Sequence, residues 1–233
     1  EKSRGFQLEK VFSDKASQSE VFGEVSPLIQ SVLDGRNVCI FAYGQTGSGK
    51  THTMEGSFKD PGVNQRALRQ LFDETNDRTN KYKINASMLE IYNETIRDLL
   101  SSDPSDKLEV KLKPDGGVYV PGLVSVPVQS LEDIHRISKV AKDNRMVAST
   151  KMNERSSRSH LVLSVDVEET NLTTGSITKG RLNLVDLAGS ERVSKSHVEG
   201  ARLKEAQNIN KSLSSLGDVI NALKNRHPHV PYR

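Results

Sequence analysis

From Ser17 to Leu33 the apolar residues Val21, Val25, Leu28, Ile29 and Val32 recur at helical spacing. Ser17 is suited to cap that helix, Gly35 stands just past its end, and Pro27 inside it predicts a kink. Upstream, Phe6 to Phe12 reads as a short strand. Downstream, Val38 to Tyr43 is an unbroken apolar run of strand length, expected to be buried on both faces. A glycine-rich loop follows, then a helix starting at Lys50 and another from Gln65 to Asp77 on Leu68, Leu71 and Phe72. Tyr82 to Tyr92 and Leu108 to Val128 are β-rich, the second broken at Pro114-Asp115-Gly116-Gly117 and at Pro121-Gly122. Leu131 to Met146 predicts a helix capped by Ser130, with Asp133 at its third position. Leu161 to Glu168 and Ile177 to Leu187 alternate apolar and polar residues, and Asn171 to Ser176 supplies a hairpin loop between them. A long helix is expected from Glu199 to Lys224, with Leu203, Ile209, Leu213, Leu216, Val219, Ile220 and Leu223 recurring along it. The elements add up to an α/β domain with a mixed sheet, and no repeat or linker divides residues 1–233.

Composition narrows the setting more than the function. A single cysteine, Cys39, excludes an intrachain disulfide framework and fits a reducing compartment. No apolar run approaches the roughly 20 residues that span a bilayer, and the first 30 residues carry no signal-peptide pattern, so a cytoplasmic protein is expected. The net charge of +3 is too small to point to nucleic acid or to a membrane, and neither is expected as a partner.

The chemistry begins at Gly44-Gln45-Thr46-Gly47-Ser48-Gly49-Lys50-Thr51, a complete G-x-x-x-x-G-K-[ST] between an apolar strand and a helix start. Glycines let backbone amides approach phosphate oxygens without a Cβ in the way, and the helix start adds partial positive charge. Lys50 is suited to the β- and γ-phosphates and the Thr51 hydroxyl to Mg²⁺. Farther on, Asn153-Glu154-Arg155-Ser156-Ser157-Arg158-Ser159-His160 sets hydroxyls and an arginine in an expected loop. Ser156 and Ser157 can hold a metal and a water, and Arg158 can pair with a carboxylate or phosphate; a plain polar surface loop is the alternative. The third motif, Leu182 to Glu191, is an apolar strand ending in Asp186-x-x-Gly189. It presents an acid to the metal and a glycine amide to the γ-phosphate, unless Asp186 is only a strand-end turn residue. The Asn-Lys-x-Asp that reads guanine is missing, since Asn210-Lys211-Ser212 is followed by Leu213, so ATP is favoured over GTP.

These strings resemble the kinesin family: Phe41-Ala42-Tyr43 running into the loop, His52-Thr53-Met54-Glu55-Gly56 after it, Asn153 to His160, Asp186 to Glu191, and Asn208 to Gly217. The resemblance covers essentially the whole chain. It implies a P-loop NTPase three-layer sandwich, with a central mixed, mainly parallel sheet flanked by helices. It also implies an ATP hydrolase that moves on microtubules. By resemblance Gly44 to Thr51 would cradle ATP, with His52 near the adenine, and Thr51, Ser157 and Asp186 would hold Mg²⁺. Arg158 and Glu191 would pair as the two switch segments close, and Glu191 would help receive the proton of the attacking water. The helix from Asn208 to Lys224 would lie against tubulin, with Lys211, Lys224, Arg226 and the loop His227 to Arg233 in the facing region; Leu213, Leu216, Ile220 and Leu223 are expected in the core. Asn37 to Phe41 and Leu216 to Ile220 look most like the C-terminal-motor, minus-end-directed class (kinesin-14), abundant in plants. In that family the full protein is a dimer through a coiled coil outside this stretch, and it associates with the cytoskeleton. Relative to the family pattern, the stretch begins after the first strand and its Arg-x-Arg-Pro and stops before the Asn-Ser-Lys-Leu-Thr segment and the closing helices and strand. Arg36 stands where an aromatic often lies near the base. Weak nucleotide affinity is therefore expected of these residues alone, which leaves a catalytically weak microtubule-binding module as the alternative function.

Overall fold

Helix α1 (Gln18–Leu33) starts at a reciprocal capping box: the Ser17 hydroxyl accepts from the Glu20 amide, and the Glu20 carboxylate accepts from the Ser17 amide. Gly35, at φ 85°, ends it in the left-handed region. The protein is seen here in a computed structural model that describes residues 5, 7–57, 59–76, 80–103, 106–114, 117–147, 155–191 and 200–232. After α1 come β1 (Asn37–Ala42), α2 (Lys50–Met54), α3 (Val63–Glu74), β2 (Asn80–Tyr92) and β3 (Thr95–Asp98). Four two-residue strands follow, β4 (Lys107–Leu108), β5 (Lys111–Leu112), β6 (Val118–Tyr119) and β7 (Val126–Pro127). Then come α4 (Leu131–Val147), a turn of 3-10 helix at Arg155–Arg158, β8 (His160–Asn171), β9 (Ile177–Asp186) and α5 (Ala201–Lys224).

The central sheet runs β1-β9-β8-β2-β3-β4, with β7 added against β2. It is mixed, and the class is α/β as expected, but "mainly parallel" needs correction. Among the described strands only β1 and β9 pair in parallel; the other pairs are antiparallel. Hairpins impose this. Asn93 and Glu94, at φ 51° and 62°, make a two-residue turn that returns β3 onto β2, and residues 172–176 return β9 onto β8.

Register divides the sheet into two faces. Ala86, Val165, Leu182 and Val38 stand side by side on one of them, together with Met88, Leu163, Leu184 and Ile40. That face packs into one core with Ile29 and Val32 of α1, Leu68 and Leu71 of α3, and Ile134 and Ala141 of α4. Each fully buried Leu or Ile there contributes about 1.5–3 kcal/mol. Helix α1 lies so close to β9 that a Cβ on Gly180 would overlap the Val32 carbonyl oxygen. The opposite face meets α5 at its His160 end, where Ser212 hydrogen-bonds the ring.

Several expectations fail. Strand β1 alternates half-buried and exposed positions rather than burying both faces, and Cys39 and Phe41 are exposed. On α5, Ile220 and Leu223 are 49% and 51% exposed, and Leu213 and Leu216 are half-buried, so the expected core face is not a core. Residues 7–12 form no strand, and Leu8 and Val11 are exposed. Asp77, Asp115, Gly116 and Glu199, each part of an expected element or turn, lie outside the described residues.

One buried charge pair ties α4 to the sheet. Glu90, fully buried in β2, accepts from Arg145 Nε at 2.9 Å, and Arg145 Nη2 reaches the Ser159 hydroxyl at 2.7 Å. Glu90→Ala strands a largely desolvated guanidinium, so the expected loss is about 3–5 kcal/mol. A lower urea midpoint at unchanged slope would show it.

Candidate functional site

The parallel pairing of β1 and β9 builds the site, because it sets Ala42 opposite Asp186 where both strands end. The glycine-rich loop leaves β1 there. Gly49, at φ 91°, turns the chain into α2, a conformation that a side chain at this position would strain. Helix α2 has five residues, so the loop amides rather than a long helix dipole supply the positive field. Lys50 Nζ donates to the Gln45 carbonyl at 3.0 Å and so lies across the loop. The Thr51 hydroxyl donates to Asp186 Oδ2 at 2.6 Å, while Asp186 Oδ1 is buried with no hydrogen-bond partner among the described residues.

A hydroxyl and a carboxylate in contact, with one buried oxygen unused, fit a magnesium ion. No cluster of three or more His, Cys, Asp or Glu suited to a metal occurs among the described residues. That also fits Mg²⁺, which takes few protein ligands and fills its octahedron with water and phosphate oxygens. The His52 carbonyl accepts from Gln18 of α1 at 2.6 Å, and the residue is exposed. Behind Thr51 and Asp186 a cavity of about 550 Å³ opens between α3, α4 and the sheet, walled by Leu68, Met88, Leu99, Ile134, Leu163 and Leu184.

The two downstream segments meet at this point. The Gly189 amide, expected to face a γ-phosphate, here donates to the Ser157 carbonyl at 2.8 Å, and the Ser190 amide donates to Gly44 O at 3.0 Å. Arg158 and Glu191 are not paired with each other. Arg158 pairs with Glu205 of α5, whose other carboxylate oxygen accepts from the Tyr92 hydroxyl at 2.6 Å. Glu191 accepts from the Thr46 amide at 2.9 Å and from its hydroxyl at 2.7 Å. Partial desolvation pushes the Glu191 carboxyl up, but the Thr46 hydrogen bonds, its own amide and the Lys50 charge outweigh it, and its pKa lies below the ordinary value. Held in this way, Glu191 is a poor proton acceptor. The pairing implied for closed switches therefore requires both residues to exchange partners.

Asn153 and Glu154 of the first segment lie outside the described residues, as does Arg233. Lys211 is exposed and pairs with Glu94 at 2.7 Å, so α5 touches the β2–β3 turn through it. The sequence reading did not single out Glu205, Tyr92 or Arg145. Their pairings are tertiary, and no local motif signals them.

His160 is buried, and burial holds its ring below the ordinary 6.5. The unfolded ring therefore takes up a proton below that value while the folded ring does not. Stability is fully present above pH 6.5 and falls as the pH drops toward the folded pKa, by at most about 1.4 kcal/mol per pH unit. His160→Gln should flatten that part of a melting-temperature against pH curve.

Comparison with known proteins gives a consistent neighbourhood. The kinesin motor domain model matches residues 1–233. The chain is 52% identical to the kinesin-like protein KIN-14R of Arabidopsis thaliana over 99% of its own length and 22% of that protein's. It is 51% identical to KIN-14E of Oryza sativa subsp. japonica over 98% of its length and 21% of that relative. The chain thus spans between a fifth and a quarter of these curated relatives. Among solved structures, it resembles a fast kinesin described for its ATPase mechanism and interactions with microtubules, with a TM-score of 0.88 and 41% identity. That match covers 98% of this chain and 66% of the other. The C-terminal motor and motor homology domain of Kar3Vik1 matches at a TM-score of 0.85 and 43% identity, over 97% of this chain and 59% of that one.

Proposed function

This chain belongs to the kinesin motor-domain family, of the kinesin-14 type, and from that premise we propose that residues 1–233 are one motor domain that hydrolyses ATP in step with microtubule binding. The observation that carries the proposal is the Thr51–Asp186 contact at the end of the phosphate loop, with Asp186 Oδ1 buried and unused. Minus-end direction, a dimer through a coiled coil elsewhere in the protein, and association with microtubules in the cytoplasm are part of the same reading. Their support is the similarity to KIN-14 proteins and to the Kar3Vik1 motor.

In this mechanism Gly44, Gln45, Thr46, Gly47, Ser48 and Gly49 wrap the phosphates with backbone amides, and Lys50 turns from Gln45 to the β- and γ-oxygens. His52 lies near the base. Thr51, Asp186 and Ser157 would hold Mg²⁺, which when bound neutralises charge developing on the transferred phosphoryl group. Gly189 exchanges the Ser157 carbonyl for a γ-phosphate oxygen, and Arg158 leaves Glu205 for Glu191. Glu191, released from Thr46, then orients the attacking water and takes its proton. Because Glu205 lies on α5, each exchange at the phosphate is also a change of grip on the helix proposed to face tubulin.

A second reading, a microtubule-binding module with weak turnover, is favoured by the present pairing, in which Arg158 and Glu191 hold other partners. Co-sedimentation of the whole protein with polymerised microtubules tests the shared core of both readings. Tighter binding with a non-hydrolysable ATP analogue than with ADP is expected, and equal binding in both would defeat nucleotide coupling.

A further inference from the structure

The loop after Asp186 spends its amides in an uneven way. Leu187, Gly189 and Ser190 donate to the carbonyl oxygens of Ala42, Ser157 and Gly44. Ala188 instead donates to a side chain, His160 Nδ1, at 3.0 Å in a fully buried setting. The other edge of the same ring, Nε2, lies 2.8 Å from the Ser212 hydroxyl of α5. One rigid ring thus bridges the loop that follows Asp186 and helix α5.

The proton positions follow from the partners. The Ala188 N–H occupies the Nδ1 lone pair, so Nδ1 carries no hydrogen. Ser212 donates its one proton to the Ile209 carbonyl at 2.7 Å, so it must accept from Nε2. The chain of donors runs in one direction, from Ala188 through His160 and Ser212 into the backbone of α5.

We infer that His160, as the neutral Nε2–H tautomer, is a positioning residue that transmits movement of the Ala188 loop to helix α5. The inference rests on the functional reading above, in which that loop responds to the γ-phosphate and α5 meets tubulin. Neither neighbour can move alone. A shift of the Ala188 amide breaks a buried hydrogen bond unless the ring follows, and a turn of the ring breaks the bond to Ser212 unless α5 follows. A charged ring would set an Nδ1 proton against the Ala188 N–H, and burial opposes that form as well.

The test uses the whole protein. Nitrogen-15 spectra of the His160 ring at neutral pH should show Nε2 protonated and Nδ1 bare; a protonated Nδ1 overturns the inference. His160→Asn keeps an acceptor near the Nδ1 position and loses the reach to α5, while His160→Gln keeps the reach and loses the acceptor. Each of these, and Ser212→Ala, should lower the microtubule-stimulated rate relative to the basal rate by about tenfold, the worth of one broken link. The half-saturating microtubule concentration should stay within about twofold, because no tubulin contact is removed. His160→Asn combined with Ser212→Ala should be no worse than His160→Asn alone, since both cut one bond. Stimulation equal to wild type in these variants, or additive losses in the pair, overturns the inference. A wild-type protein without turnover would defeat the functional reading instead. Hydrogen exchange of the Ala188 amide then decides: faster exchange in Ser212→Ala supports the link, and unchanged exchange overturns it.

Discussion

Lys50→Ala should weaken ATP binding by about thirtyfold or more while leaving the fold intact. Once turned from the Gln45 carbonyl, the ammonium offers its three donors to phosphate oxygens, in a loop whose other donors are uncharged. Truncating one partner of a hydrogen-bonded charge pair costs about 2–5 kcal/mol, and every 1.4 kcal/mol is a factor of about ten. The side chain packs into no core, so thermal stability should be unchanged. Lys50→Arg should restore little, because a planar fork cannot replace a point charge inside so tight a loop. Titration with a fluorescent ATP analogue and Mg²⁺ gives the affinities, and wild-type affinity in Lys50→Ala would remove the phosphate site from the account.

Arg158→Ala should cut ATP turnover by about 10²–10³-fold, within the range a positioned general base supplies, because Glu191 loses the partner that holds it at the attacking water. It should also destabilise the protein, for a separate reason. Glu205 is buried and its charge is balanced by Arg158, so removing the guanidinium leaves a carboxylate supported mainly by the Tyr92 hydroxyl. Adding Glu205→Gln should recover most of the lost stability, since a neutral amide can still accept from Tyr92, and none of the lost turnover. Glu205→Gln alone should raise basal turnover, because it removes the partner that competes with Glu191 for Arg158. Melting temperature and turnover thus separate the two roles. Recovery of turnover in the double variant would show that Arg158 acts only as a structural anchor.

Where local chemistry decides, the sequence was readable. Ser17 announces the start of α1, Gly35 its end, and Gly44 to Thr51 the glycine-rich loop, because each depends on neighbours within a few residues. The hairpin between β8 and β9 was legible for the same reason. Strand direction was less so. The tight turn at Asn93-Glu94 is made by two non-glycine residues at positive φ, and it reverses β2 onto β3 without a glycine signal. Helical spacing on α5 marks Ile220 and Leu223 as apolar, but spacing does not say whether anything covers them, and both are about half exposed. The site divides along the same line. Thr51 and Asp186 belong to motifs that can be read locally, whereas Glu205 pairs with Arg158 across 47 positions and Tyr92 with Glu205 across 113. The pairing implied for Arg158 and Glu191 describes closed switches, and the geometry here is the other arrangement of the same residues.

Steady-state ATP turnover by the whole protein as polymerised microtubules are added, with Glu191→Ala measured beside it, tests whether this site couples hydrolysis to microtubule binding. Low turnover alone, a saturable rise with microtubules, and loss of that rise in Glu191→Ala, although the variant still co-sediments, are the expected results. Turnover that ignores microtubules, or a Glu191→Ala protein stimulated as strongly as wild type, would contradict that coupling.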